Sequence, residues 1–391
     1  MKQKRAYRYR FYPTEEQARM LARTFGCVRY IYNWALRLRM DAYQQRKEHL
    51  YYSDTSAALT VLKQQKEKAW LKEVSSVPLQ QTLRHLDSAY SNFFEGRAGY
   101  PAFKRKRDVQ SATYPGSSFQ WDGTLLTLAK MNTPLDVHWS RPLPKGCVPS
   151  SVTVSKDTVN RYFISILVDE DIKPLTYSSE AVGLDLGLRS MVLLSTGEAV
   201  GNPKFFVKDE RKLARAQRRH ARKKKGSKNR EKTREKVARI HARIANRRRD
   251  FTHKLSTRII RENQCVCAES LAIKNMVKNR TLAKSISDVG WGEFLRQLEY
   301  KAQWYGRTLI KIDRWYPSSK QCFDCKYVLD DLDLAVRYWV CPVCGAHHDR
   351  DVNAARNILA AGQAVAACGE MVRPGRAKAR TGASRRSRKA P

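Results

Sequence analysis

No apolar run in this chain approaches the roughly 18 residues that a membrane-spanning helix needs. The basic segment Met1–Arg10 also lacks the apolar block of a secretory signal. Neither a membrane partner nor export is expected, and the expected location is cytoplasmic. Acidic residues are scarce: 37 Asp and Glu face 75 Lys and Arg, a formal charge of +38 over 391 residues. Such an excess opposes compaction unless a polyanion neutralises it. Nucleic acid is the expected polyanion, held over a long contact rather than at one small site. What the chain does have is 42% hydrophobic residues, enough for cores in two to three domains.

Four of the nine cysteines fall into one pattern. Cys322 and Cys325 form C-x2-C, 15 residues intervene, and Cys341 and Cys344 repeat it. That spacing is the signature of a four-thiolate zinc site. Pro342 and Gly345 supply turn residues, and Tyr338-Trp339-Val340 supplies a strand. Four thiolates complete a tetrahedron, so the zinc is expected to be structural. His347 and His348 are then read as surface or phosphate-contacting residues. Paired disulfides are the alternative, disfavoured in a reducing compartment. Cys27, Cys147, Cys265, Cys267 and Cys368 read as reduced core thiols.

Along the chain, Arg5–Phe11 alternates basic and aromatic residues as a strand does. Thr14-x-x-Gln17 is a capping box that opens a helix. Helices follow through Tyr32–Leu36, Thr55–Trp70 and Leu79–Phe94. From 101 to 175 the pattern changes to a basic stretch and short apolar runs at 124–129, 135–139, 151–156 and 161–168, which fits a small β-barrel or sandwich. The first strand is expected to join it, making the helical block an insertion. From Ser179 onward strands and helices alternate, which argues for an α/β region. Ala181–Thr196 reads as strand, turn, strand. Residues 204–262 read as two basic helices broken near Gly226-Ser227, with Leu213, Val237, Ile240, Ile244, Leu255 and Ile259 as the apolar stripe. Cys265–Leu271 and Thr308–Asp313 read as strands, with a helix over Trp291–Tyr305 between them. The Arg-, Ala-, Ser- and Gly-rich tail from Arg373 has no periodicity and is expected to be disordered and to bind polyanions loosely.

Three carboxylates interrupt apolar or small-residue elements: Asp185 in GLDLG, Glu269 in CVCAESL, and Asp351 at the start of a helix. Ionised carboxylates are seldom buried unless paired or bound to a cation. Converging, the three would repel one another, and two Mg2+ ions would remove that repulsion and need such oxygen ligands. Two ions about 3.5–4 Å apart can activate water and stabilise the leaving oxygen of a phosphodiester. Asp349 competes with Asp351 for the third position. Asp351 is preferred, because Asn353-Ala354-Ala355 continues a small-residue helix face beside it, and Asp349 is expected to cap that helix.

At this point the residues resemble a known family. Asp185 in GLDLG, Glu269 in AESL, Ser285–Gly292 with Phe294, Tyr316–Cys322, Cys341–Gly345 and Asp351-Val352-Asn353-Ala354-Ala355-x-Asn357-Ile358 are similar to the motifs of TnpB. TnpB is the transposon-encoded relative of type V CRISPR effector nucleases. Tyr32-Asn33-Trp34 and Gly99–Lys104 match as well. The resemblance covers about residues 1–360. It implies an α/β multidomain protein with a RuvC-like, RNase H-fold nuclease domain, a zinc-finger insertion, and a β-barrel wedge domain carrying an inserted helical recognition domain. The implied divisions are 1–12 (first wedge strand), 13–100 (recognition helices), 101–178 (wedge), 179–315 (nuclease), 316–346 (finger), 347–368 (last nuclease segment) and 369–391 (basic tail). The implied activity is RNA-guided cleavage of DNA, with Asp185 bridging two Mg2+ ions and Glu269 and Asp351 completing the ligand set. The implied partners are a guide RNA from the transposon end and target DNA, with action at the nucleoid.

In such enzymes the protein reads a short motif beside the target while base pairing reads the target itself. Candidate readers are Tyr52, Ser56, Gln80, Gln81, Ser117 and Ser118. Candidate phosphate contacts are Lys104, Arg105, Lys106 and Arg107 with the basic run 211–233. Rival readings are a guided DNA-binding repressor that does not cut, and a transposase or junction resolvase. The intact acidic set argues against the first. A resolvase core would not need the amino-terminal domains or the finger. A tyrosine transposase would need a nucleophilic Tyr near a His pair, and no His-x-His occurs.

Overall fold

The computed structural model describes residues 2–144, 146–333 and 335–367. Cys368 and the basic tail 369–391 lie outside the described residues. Two compact units are present. Of the described residues, one comprises those within 2–172 and 212–242, the other those within 173–211 and 243–367.

In the first unit, β1 (Lys2–Phe11) buries Tyr7, Tyr9 and Phe11 on one face and turns Arg8 and Arg10 to the other. This is the two-residue period of a strand. The Thr14–Gln17 capping box forms as expected and starts α1 (Glu15–Arg46), whose Leu21, Phe25, Val28, Ile31 and Leu36 are buried. Helices α2 (Tyr52–Gln64) and α3 (Ser76–Phe94) pack with it. The helix expected to reach Trp70 stops at Gln64. Gln65 is extended (φ −62°, ψ 131°), and a 3-10 segment over Lys66–Lys72 follows, with Trp70 edge-on to Tyr30 at 5.1 Å.

The β elements then follow: β2 (Gln110–Pro115), β3 (Phe119–Trp121), β4 (Leu126–Leu128), β5 (Val137–His138), β6 (Pro149–Lys156) and β7 (Tyr162–Asp171). Strand β1 pairs antiparallel with β7 over its full length and with β5. The first strand therefore does belong to the β region, and the helices are an insertion in sequence. The sheet order is β2-β6-β7-β1-β5, with β3–β4 as a separate hairpin. Of the expected barrel or sandwich, closure of a barrel by hydrogen bonds between β2 and β5 is not seen among the described residues. Strand β5 has two residues, too few to carry pairing round to β2.

The second unit is built on β8 (Ala181–Asp185), β9 (Ser190–Leu194), β10 (Ala199–Gly201), β11 (Cys265–Glu269) and β12 (Thr308–Ile312) in the order β10-β9-β8-β11-β12. Strands β8, β11 and β12 are parallel, and β9 and β10 are antiparallel additions. Helices α4 (Phe205–Ala221) and α5 (Lys228–Glu262) are the two basic helices, broken where Gly226-Ser227 predicts. Of the expected stripe, Leu213, Ile240, Ile244, Leu255 and Ile259 are buried, and Val237 is half-buried. Short helices α6 (Ile273–Met276) and α7 (Ala283–Val289) lead to α8 (Trp291–Tyr305). The hairpin β13 (Tyr338–Val340) and β14 (His347–Asp349) precedes α9 (Arg350–Ala367).

Helix α9 crosses β8, β11 and β12 at backbone distance. A Cβ on Gly183 of β8 would lie 2.0 Å from the Ala355 carbonyl oxygen, and one on Gly362 would lie 2.3 Å from Cys267 Sγ. The glycine of GLDLG and the small face Ala354, Ala355 and Gly362 are the two halves of that close approach. Among the described residues no helix is long and apolar enough to cross a membrane.

Candidate nuclease site and zinc finger

Strands β8 and β11 run parallel with Leu184 beside Ala268. Asp185 and Glu269, the last residues of their strands, therefore emerge side by side at the same end. Strand β9 lies antiparallel on the other side of β8, so the chain direction switches there. Carboxyl ends of strands are where open α/β sheets take their ligands. The first turn of α9 brings Asp351 to the same place. Burial pushes the Asp185 carboxyl up from 3.8 to about 7, with Glu269 and then Asp351 adding repulsion, while Arg350 and the Leu186 amide oppose the shift. The three sequence candidates thus meet.

The other two acids are already held. Ser318 Oγ donates to Glu269 Oε1 at 2.7 Å. Arg337 Nη1 donates to both oxygens of Asp351 at 3.3 and 3.2 Å. Asp349 Oδ1 accepts the amides of Asp351 and Val352 at 3.0 and 2.9 Å. Asp349 is therefore the N-cap, as the sequence suggested. The acids are more loosely gathered than the thiolates described below. Among the described residues, only the four finger cysteines and the set Cys322, Asp324 and His348 bring their ligand atoms within 4.8 Å of one another. A donor set made of carboxylates, with a raised carboxyl at its centre, fits hard divalent cations. Arg337 supplies a counter-charge to Asp351.

A pH dependence follows. Well below pH 3.8 Asp185 is protonated in both folded and unfolded chains. Between 3.8 and about 7 only the folded form keeps the proton, so folding loses stability as pH rises through that window. Melting in a chelating buffer should therefore fall from pH 4 to 7, beyond the background set by other groups. In Asp185→Asn this component should be missing, and added Mg2+ should restore the parent most at the upper end. Equal pH slopes for the parent and Asp185→Asn would contradict the burial argument.

The finger holds its four thiols as two matching knuckles. Cys322 N donates to Tyr327 O at 2.7 Å, and Cys341 N donates to Ala346 O at 2.9 Å. The residue after each second cysteine is left-handed: Lys326 (φ 66°) and Gly345 (φ 71°). Sulfur separations of 3.6 Å (Cys322–Cys344) and 3.5 Å (Cys325–Cys341) approach the roughly 3.8 Å edge of a tetrahedron with Zn–S near 2.3 Å. His348 is not at the surface. Period two in β14 turns it inward, 3.0 Å from Cys322 Sγ, with its ring 4.6 Å from that of Trp339. Burial lowers its pKa. His347 is exposed, as expected.

Residues that sequence reasoning did not assign connect finger and site. Asn353 and Asn357, one turn apart on α9, are buried and donate to Gln321 O at 2.7 and 2.6 Å. Asn357 also donates to Ser318 O at 3.0 Å, and Phe323 N donates to Asn353 Oδ1 at 3.0 Å. Helix α9 thereby clamps the loop whose Ser318 holds Glu269. The i, i+4 asparagine spacing was a visible signal. Ser318 lay within the Tyr316–Cys322 motif without a role assigned to it, and Arg337 carried no signal that distinguishes it from surface residues.

Comparison with known proteins places this geometry. A Streptomyces pristinaespiralis protein named "Putative RNA-guided DNA endonuclease" is 56% identical over 382 residues, covering 97% of this chain and 95% of the relative. The chain belongs to the TnpB family. The InsQ protein of Escherichia coli strain K12, named in the same words, is 34% identical and covers 96% of each chain. Three family models match segments: "Probable transposase" over 163–280, a Cas12f1-like TNB domain over 291–358, and a helix-turn-helix domain over 1–48. The last span folds here as one strand and one continuous helix. The fold resembles that of a Cas12f1–sgRNA–target DNA complex, with TM-score 0.55 at 14% identity, covering 91% of this chain and 98% of that one.

The candidate motif readers of this TnpB member lie in the first unit. Tyr52 opens α2 with the Arg84 guanidinium 5.0 Å from its ring. Ser56 lies one turn further and is half-buried. On α3, Gln80 is exposed and Gln81 Nε2 lies 3.3 Å from His85 Nε2. Ser117 is exposed, whereas Ser118 is buried and donates to Pro115 O at 2.7 Å. Ser118 is thus committed to a turn and does not present its hydroxyl to a partner. Lys104 is exposed, with its backbone tied down. Asn33 brackets its backbone at 2.8 and 3.0 Å, and its ammonium lies 4.0 Å from the Tyr32 ring centroid. Arg105, Lys106 and Arg107 are exposed on a turn. Lys106 and Arg107 line a cavity of about 520 Å³ with Lys156 and Arg234, the last from the basic helix α5.

Proposed function

We propose that the protein is an RNA-guided DNA endonuclease that hydrolyses phosphodiester bonds at Asp185, Glu269 and Asp351, within a RuvC-like nuclease domain. The observation that carries the reading is the convergence of the three acids, with the central carboxyl raised to about 7. Such crowding is unfavourable unless cations neutralise it. The sheet order, with two antiparallel additions beside three parallel strands, supports the same reading. So do the names of the relatives, and the sgRNA and target DNA that accompany Cas12f1 in the complex of similar fold.

Asp185, Glu269 and Asp351 would together hold a pair of Mg2+ ions through their carboxylate oxygens. When bound, the ions supply a nucleophile at neutral pH and stabilise the leaving oxygen. The chain's own part is positional. Ser318 orients Glu269, Asp349 fixes the first turn of α9, and Arg337 balances Asp351 before the site fills. Cys322, Cys325, Cys341 and Cys344 would hold a structural zinc. The guide would come from the transposon end and the chain would act on DNA in the cytoplasm.

The test is to purify the chain from cells that carry its flanking DNA, sequence the RNA that travels with it, and challenge the complex with plasmids bearing a matching target beside a randomised flank. We expect RNA of defined length and Mg2+-dependent cutting of matched plasmids next to one short motif. An RNA-free preparation that cuts arbitrary duplex would overturn the guided reading. Matched binding without cutting would restore the repressor.

A further inference from the structure

Trp315 is the most exposed of the eight tryptophans, at 77%. It lies midway along the loop Asp313–Pro317, and both ends of that loop are tied to Glu269. At one end Ile312 is the register partner of Glu269 on β12. At the other, Ser318 Oγ donates to Glu269 Oε1 at 2.7 Å. Trp315 is three residues from each anchor. At 3.3–3.6 Å per residue its backbone can stand no more than about 11 Å from either.

The loop itself is fixed. Trp315 N donates to Asp313 Oδ1 at 2.7 Å, Tyr316 N to Asp313 O at 3.3 Å, and Ser318 N to Tyr316 O at 2.8 Å. The Tyr316 hydroxyl donates to Gln321 Oε1. On this braced backbone the indole faces solvent, with the Arg314 guanidinium 4.5 Å from its ring centroid. Burying a tryptophan is strongly favourable, yet this one forms no part of the unit's core. A flat aromatic face, a cation against it and a cluster of phosphodiester-cleaving acids one short loop away match the features that bind single-stranded nucleic acid.

We propose that Trp315 and Arg314 form a stacking subsite for one unpaired nucleobase of the strand being cut, adjacent to the scissile phosphate. The indole stacks on the base, and Arg314 meets the neighbouring phosphate. The site takes any base, because every base offers a π face, and it aligns the backbone over the acids. The proposal rests on the nuclease reading above.

The test uses the full chain with its guide RNA and single-turnover and steady-state cleavage of target strands. One substrate series is unmodified, and the other carries a single abasic nucleotide at successive positions flanking the cut. Stacking is worth about 1–3 kcal/mol per base, so Trp315→Ala should raise KM roughly 5- to 150-fold on the unmodified strand. Trp315→Phe should recover most of that loss. At one flanking position the abasic substrate should be cut equally by parent and Trp315→Ala, and at the others the penalty should persist. Unchanged KM in Trp315→Ala, or an equal penalty on every abasic substrate, would overturn the subsite while leaving the nuclease reading intact. A parent complex that cuts nothing overturns both.

Discussion

Asp185→Ala is expected to lower target cleavage by about a thousandfold or more while leaving guide RNA binding within a factor of two of the parent. Asp185 feels both other acids and is pushed up to about 7 by burial and their charge. Removing it takes away the ligand that the paired cations would share. The electrostatic stabilisation supplied by such ions is several kcal/mol, and each 1.36 kcal/mol is tenfold in rate. The guide, by contrast, would be held by the cationic surface, which this substitution leaves alone. Asp185→Asn separates charge from shape and should lose nearly as much activity. A useful companion is Asp349→Ala. Asp349 spends its carboxylate on two amides of α9, so its loss should cost about 1 kcal/mol of stability and retain most cutting. The measurement is cleavage of a matched plasmid beside filter binding of labelled guide. Undiminished cutting by Asp185→Ala would remove the site assignment.

The second large effect is expected from the finger. Stripping the metal with a strong chelator, or Cys322→Ser, should release one zinc per chain, lower the melting temperature and abolish cleavage with all three acids intact. Structural zinc contributes on the order of 10–16 kcal/mol to the fold of small fingers, so without it the knuckles should not persist. The damage should spread because the finger segment supplies supports of the acidic cluster. Arg337 pairs with Asp351, and the segment entering the first knuckle carries Ser318 to Glu269. Asn353 and Asn357 on α9 bind backbone carbonyls of that same segment. Elemental analysis, thermal melting and plasmid cleavage on one preparation test the chain of effects. A zinc-free protein with the parent's melting and cleavage would refute it.

The acids were legible because each breaks a local rule. Asp185 and Glu269 end runs of apolar residues, and Asp351 opens a helix of alanines, so their anomaly is visible in one dimension. The knuckles were legible from spacing, and both basic helices from the glycine and serine between them. Their supports were not. Ser318, Arg337 and the inward turn of His348 gain meaning only when β11, the finger and α9 come together. Ser118 looked like a free surface group, and it is the Pro115 carbonyl that claims it. The choice between barrel and sandwich was not legible for a similar reason. Apolar runs mark strands, but whether the edge strand β5 is long enough to pair with the other edge, β2, is a matter of tertiary geometry.

Gly183 has a consequence for how the cluster evolves. Because no side chain stands between β8 and α9 there, main chain rests on main chain. The gap between the Asp185 and Asp351 backbones is gauged by two peptide surfaces. Conservative changes in the neighbouring apolar residues can swell or shrink the interior without moving this gauge, so the sequence around it is free to drift. A methyl group at position 183 would act as a wedge and prise the two acids apart with every charged residue still in place.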